Sequence, residues 1–307
     1  MITIDKSLSA RKVELLNYFR ERANESIEEI KRVYGSTEFK KQASAINKAT
    51  TGTKDNIIKT LLQKAAKEKW SNKEILQCIL MVTYSNYIVM IECRNEVWPY
   101  EYMTFSRRIG ELWEPFCNLC FEYPIRELAL FVPPLFSEVK QKLTAEIEDY
   151  IGILTITEEQ KKELKSYYNK VWGLVMSGEI KLELDLHFEQ NGERFVVDFK
   201  SGFGSNEKGN TNRLLLVASI YKNLEENYKC LLLVRAEEDR NNNYFHTLKN
   251  SGIWMAYCGN ETYAKIKEYS SFDIKQWIEN NINWSGDFRI DTMQYFRDNN
   301  LDQYLKW

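Results

Sequence analysis

The stretch Leu182-Glu183-Leu184-Asp185-Leu186-His187-Phe188, Glu189-Gln190-Asn191-Gly192-Glu193-Arg194, Phe195-Val196-Val197-Asp198-Phe199-Lys200 decides the reading of the fold. Two runs of alternating polarity flank Asn191-Gly192, the residue pair best suited to a two-residue type I′ hairpin turn. That turn sets the register: Gln190 faces Glu193, Asp185 faces Asp198, and Glu183 faces Lys200. Side chains alternate between faces along a strand. Glu183, Asp185, Asp198 and Lys200 are therefore expected on one face, with His187. Leu182, Leu184, Leu186, Phe195, Val197 and Phe199 are expected on the other.

Two carboxylates directly across a strand pair repel one another. A hard cation such as Mg²⁺ turns the repulsion into a binding site, because it takes carboxylate oxygens as ligands. Such an ion can activate water and neutralise charge developing on a phosphate. A lysine two residues beyond the second carboxylate shares the face. It can hold the attacking water or stabilise a pentavalent phosphate.

Asp185, followed thirteen residues later by Asp198-Phe199-Lys200, resembles the PD-(D/E)XK nuclease superfamily, which includes restriction endonucleases and RecB-like nucleases. Leu184 stands where the proline of that pattern would be. The resemblance implies Asp185 and Asp198 as metal ligands and Lys200 as the catalytic lysine, with Mg²⁺ as cofactor. Glu183 and His187 would support the site from beside it. Gly110-Glu111-Leu112-Trp113-Glu114 resembles the Gly-x-x-Phe-Glu pattern on the first core helix of many restriction-type nucleases, which makes Glu114 the candidate third carboxylate. The implied fold is a restriction-endonuclease-like α/β core, a mixed central sheet flanked by helices, with an added helical N-terminal region. The implied activity is that of a type II restriction endonuclease acting on double-stranded DNA as a homodimer, with a cognate DNA methyltransferase in the same system. A RecB-like or repair nuclease is the alternative, and a non-catalytic DNA-binding protein a further one. The RecB-like pattern continues with Gln and Tyr on the helix after the lysine. Here Asn212 and Tyr221 occupy that helix and the Gln is absent.

Composition bounds the classes. The 307 residues are 44% hydrophobic and 13% aromatic, with 13 Gly and 5 Pro, enough for a sizeable core and too ordered a composition for a fibrous or disordered chain. No basic-then-apolar leader opens the sequence, and six cysteines show no secreted framework, so a cytoplasmic location is expected. Cys117-x-x-Cys120 reads as core packing rather than zinc. The apolar stretch Ile75–Cys93 is broken by Gln77, Thr83, Ser85 and Asn86 and reads as a buried helix rather than a membrane span. With only His187 and His246, a His-based hydrolase is disfavoured.

Net charge is −2, yet the lysines are unevenly spread. From Phe39 to Trp70, eight lysines stand against Asp55 and Glu68. Such a segment suits phosphate contact, and Lys54, Lys59 and Lys64 are its candidates. Arg107, Arg108, Lys208, Asn212 and Arg213 are further candidates for touching DNA, the last three beside the glycine-rich loop Ser201–Asn210.

Outward from the hairpin, helical periodicity is expected over 1–35, ended by Gly35, and over two stretches flanking Thr50-Thr51-Gly52-Thr53. Ser71-x-x-Glu74 is a capping box opening a buried helix that Pro99 stops. Pro133-Pro134 interrupts a short strand or loop edge at Ala129–Val132. Thr157-x-x-Gln160 opens a helix through Met176, closed by Ser177-Gly178. After Lys200 come a helix (Thr211–Leu224), a buried strand (Cys230–Arg235), a helix near Phe245–Lys249, a strand (Trp254–Cys258) and a helix (Thr262–Tyr269). Sequential strands separated by helices indicate a mixed sheet with parallel members. The expected division is a helical region, 1–95, and an α/β catalytic part, 96–307.

Overall fold

A computed structural model describes residues 2–35, 37–175, 180–204, 207–224 and 228–307. After a 3-10 turn at Lys6–Ala10, the order is α1 (Lys12–Tyr34), α2 (Phe39–Glu68), α3 (Asn72–Val97), α4 (Tyr102–Glu122), β1 (Ala129–Leu130), α5 (Phe136–Ile153), α6 (Glu158–Val175), β2 (Leu186–Gln190), β3 (Glu193–Lys200), α7 (Lys208–Lys222), β4 (Tyr228–Val234), α8 (Asn243–Lys249), β5 (Trp254–Cys258), α9 (Asn260–Ser270), α10 (Ile274–Asn281), α11 (Trp284–Asp287) and α12 (Ile290–Asp298). The chain is an α/β protein built on a mixed five-stranded sheet in the order β1-β2-β3-β4-β5. β1, β2 and β3 run antiparallel in sequence; β3, β4 and β5 are parallel.

The turn at Asn191-Gly192 holds both residues at positive φ, 54° and 76°, as a type I′ turn requires. Its register is the expected one, with Gln190 opposite Glu193 and Leu186 opposite Val197. The ladder then stops. A continuation would set Leu184 opposite Phe199; instead the Asp185 carboxylate turns in and Oδ2 accepts the Phe199 N–H at 2.7 Å. The chain bends at Asp185, and residues 182–184 lie outside the ladder. Leu182 and Leu184 pack on the face of Val196, not on that of Leu186, and Glu183 is exposed rather than opposite Lys200.

Both sheet faces are covered. Val196, Leu232 and Val234 pack with Leu214, Val217 and Tyr221 of α7 and with Phe245 and Leu248 of α8. Phe195, Val197, Phe199, Leu231 and Leu233 join the larger core of α1–α4, α9 and the C-terminal helices. The expected boundary at residue 95 falls inside α3, and one apolar core runs through it, so the N-terminal helices are continuous with the sheet's packing. α3 is long and apolar enough to cross a membrane, but 83% of its most apolar window is buried inside the protein. The Ser71–Glu74 capping box and the Gly35 helix stop are present. α2 runs unbroken through Thr50–Thr53, where two helices were expected. Thr50 and Thr53 hydroxyls donate back to the Ile46 and Ala49 carbonyls, at 3.0 and 3.2 Å, and fit inside the helix. The α6 closure expected at Ser177-Gly178 lies outside the described residues. All six cysteines are buried and free.

The C-terminal helices are fastened by charge. Glu92 of α3, 3% exposed, receives a bidentate Arg20 guanidinium at 2.6 and 3.0 Å and the Arg289 N–H at 2.7 Å. Beside it Asp287 accepts from Lys12 and from Tyr84, each at 2.8 Å. Removing one partner of a buried ion pair leaves the other uncompensated. Glu92→Ala is expected to lower unfolding free energy by about 3 kcal/mol or more, read from the urea midpoint at unchanged slope. A loss below about 0.5 kcal/mol would show the pair to be worth no more than a surface one.

Candidate functional site

β3, β4 and β5 end side by side at Lys200, Val234 and Cys258. Crevices at the carboxyl ends of parallel strands are the usual ligand sites of α/β sheets. Asp198 lies two residues from this end and is fully buried, a cost for a carboxylate unless it is paired. Lys200 Nζ lies 2.6 Å from its Oδ2, and Arg213 Nη2 of α7 lies 3.5 Å from its Oδ1. Neither carboxylate oxygen, however, has a donor in hydrogen-bonding geometry among the described residues. These are charge contacts, the shorter being to Lys200. Burial pushes the Asp198 carboxyl above the usual range, Lys200 opposes that shift, and the Asp185 charge adds to it.

α4 reaches the same end of the sheet. A Cβ on Gly110 would lie 2.9 Å from Ser201 Oγ and 3.0 Å from Ser201 Cβ, so the missing side chain permits the close approach. Trp113 fills the core against Phe199, with ring centroids 5.7 Å apart, and its indole donates to Tyr263 Oη at 3.0 Å. Glu114, four residues after Gly110 on the same face of the helix, is half-buried. Burial pushes its carboxyl up to about 7; Asp185 and Asp198 add to the rise and Lys200 opposes it. The structure thus brings Glu114, Asp185, Asp198 and Lys200 into one electrostatic cluster, from three separate segments.

Among the described residues no three His, Cys, Asp or Glu side chains are grouped closely enough to cage a metal ion. As they stand, Asp185 is engaged by the Phe199 N–H and Asp198 by Lys200. All three acids offer oxygen, the donor a hard cation takes, and among the described residues neither oxygen of buried Asp198 has a hydrogen-bond donor.

His187 is structural. Its Nε2 lies 3.4 Å from both the Leu184 N–H and Tyr221 Oη, and burial holds its imidazole down at about 4, neutral at pH 7. Tyr221 is buried too, its hydroxyl donating to the Leu182 carbonyl at 2.9 Å. Glu183 takes no part in the cluster. Of the other candidates, Lys208 and Asn212 are exposed on the first turns of α7. Lys64 donates to the Ile4 carbonyl at 2.7 Å, Lys54 sits 3.3 Å from Asp55, and Lys59 is exposed. α2 packs principally on α1 and α3, away from the sheet. Arg107 pairs with Glu111 at 2.6 Å, and Arg108 packs at Met90.

Asn241 is a residue whose part the local pattern does not reveal. Its Oδ1 accepts the Phe203 N–H at 2.9 Å and its amide donates to the Glu237 carbonyl at 2.9 Å, tying the loop after Lys200 to the loop after β4. The turn-forming run Asn241-Asn242-Asn243 is the only sequence signal for it. A cavity of about 360 Å³ bounded by Phe131, Val139, Arg194 and Tyr228 lies at the other end of β3 and β4, remote from Asp198.

No protein-family model, no curated protein and no solved structure matches this chain.

An acid whose pKa is raised by folding holds its proton more tightly in the folded state. For Glu114 that contribution to stability is full below about pH 4.5 and is lost as pH rises through about 7. Glu114→Gln should therefore flatten the pH dependence of the urea midpoint across this window in cation-free buffer. A profile identical to wild type would place Glu114 outside the carboxylate cluster.

Proposed function

We propose that this chain is a Mg²⁺-dependent, site-specific deoxyribonuclease with a restriction-endonuclease-like catalytic core. The observation that carries the reading is the convergence of Glu114, Asp185, Asp198 and Lys200 at the carboxyl end of β3, with Asp198 fully buried. A structural ion-pair cluster needs no more acids than bases, and buried carboxylates whose pKa values are raised by one another are costly. Here three acids face one lysine and one arginine, a negative excess that favours binding of a cation.

Asp185 and Asp198 would hold the Mg²⁺, with Glu114 as third carboxylate. The bound ion supplies charge neutralisation at the phosphate and lowers the pKa of water. Lys200, anchored on the strand by its bond to the Phe199 carbonyl (3.1 Å), orients the attacking water or stabilises charge on the phosphate. Hydrolysis forms a bond from water oxygen to phosphorus and breaks the bond from phosphorus to the leaving sugar oxygen. The proton that the water loses passes to solvent. Cutting both strands of a symmetric site calls for two copies of such a site, hence a homodimer. A cytoplasmic location and a companion DNA methyltransferase belong to the same proposal. The RecB-like alternative gains nothing from Tyr221, which is occupied inside the core.

Closed circular plasmid DNA with Mg²⁺ is the test. Discrete fragments with identical ends are expected, and binding without cutting in Ca²⁺, whose looser coordination activates water poorly. Degradation of linear DNA to a smear, with the closed circle untouched, would replace the restriction reading by an exonuclease one.

Asp198→Ala and Lys200→Ala are each expected to reduce cleavage by on the order of a hundredfold or more, with far-UV circular dichroism unchanged. Near-wild-type cleavage by either variant would sink the site assignment.

A further inference from the structure

Arg213 has no part in the chemistry above, yet its guanidinium is one of two cations held against Asp198. It comes from α7, on the opposite side of the carboxylate from Lys200's own strand, with Nη2 3.5 Å from Oδ1 and 42% of its side chain exposed. Asp198 is fully buried, and a buried carboxylate without counter-charge costs several kcal/mol. In the cation-free protein Lys200 and Arg213 meet that need together. Entry of a divalent ion at Asp198 reverses it, because ion, ammonium and guanidinium would then crowd one carboxylate, and like charges at such distances repel strongly in a buried site.

The two cations differ in their freedom to leave. Lys200 lies on the strand itself, 22% exposed, and its ammonium also donates to the Phe199 carbonyl. Arg213 sits on a helix beginning just after the loop that follows β3. Leu214 and Val217 fix the helix to the sheet, while the Arg213 side chain stays partly in solvent. A planar fork of donors at the mouth of the site suits a phosphate, which it can grip with two hydrogen bonds.

We infer that Arg213 is the exchangeable counter-ion of Asp198. It neutralises the carboxylate in the free protein and passes to a DNA backbone phosphate when a divalent cation takes the carboxylate. DNA and cation then bind with positive coupling, each strengthening the other by the same factor. The inference rests on the nuclease reading and deepens it.

Calorimetric titration of Ca²⁺ into the full-length chain, alone and with a saturating mixed-sequence duplex, tests this without relying on cleavage. In wild type the duplex should raise Ca²⁺ affinity by on the order of tenfold. In Arg213→Gln the free protein should bind Ca²⁺ several-fold more tightly than wild type, because a competitor is gone, and the gain from duplex should shrink toward none. Arg213→Lys keeps the charge but not the fork, and its gain should fall between the two. Equal Ca²⁺ affinity and equal gain in wild type and both variants would overturn the inference while leaving the metal-dependent reading intact. Absence of Ca²⁺ uptake by wild type, with or without duplex, would overturn that reading and the inference with it.

Discussion

Strand β3 is covered on both faces, and it carries Asp198 with no exposed surface at all. A charge there must be matched from close by, and the matching partners determine what surrounds the strand. Lys200 supplies one cation from the strand, Arg213 a second from α7, and Glu114 and Asp185 crowd the same volume with negative charge. The packing below is arranged so that these groups can meet. Gly110 lets α4 approach Ser201, Trp113 holds α4 on Phe199, and Asn241 pins the loop that follows Lys200.

The bend at Asp185 is part of the same arrangement. Had the hairpin continued as a regular ladder, Asp185 would have stood across the strand from Asp198 with its side chain normal to the sheet. The bend lets its carboxylate satisfy the Phe199 N–H in place of a main-chain carbonyl. One side chain thus terminates the strand and enters the charged cluster. Sheet termination and site assembly are done by a single hydrogen bond.

The parts legible in the sequence were those set by local rules. Asn191-Gly192 dictated the turn and the register, because few residue pairs accept two successive positive φ values. Ser71–Glu74 and Gly35 marked helix ends by the unpaired backbone groups they satisfy. Gly110 and Glu114 stood out only through the resemblance of Gly110-Glu111-Leu112-Trp113-Glu114 to the Gly-x-x-Phe-Glu pattern. The departures have non-local causes. Leu182 and Leu184 alternate as a strand does, but a carboxylate–amide bond across the sheet outweighed that pattern. Thr50-Thr51-Gly52-Thr53 looks like a break, yet α2 is held by its packing on α1 and α3. α5 and the short C-terminal helices escaped notice, and the Glu92 and Asp287 cluster that fastens the latter joins residues with no proximity in sequence. Arg213 was recognisable as a basic residue near the site, but its pairing with Asp198 depends on how α7 is phased against the sheet.

The Glu92 and Asp287 cluster bears on how the chain can be made. Lys12 meets Asp287 at a sequence separation of 275, and Arg20 and Arg289 meet on one carboxylate. During synthesis the first three helices emerge long before Arg289 does, so α3 carries Glu92 with only part of its counter-charge until residue 289 has been made. Contacts of such long sequence separation form late and slow folding. The N-terminal helices are therefore provisional during translation, and nascent chains arrested before residue 287 will lack the ties that complete the bundle.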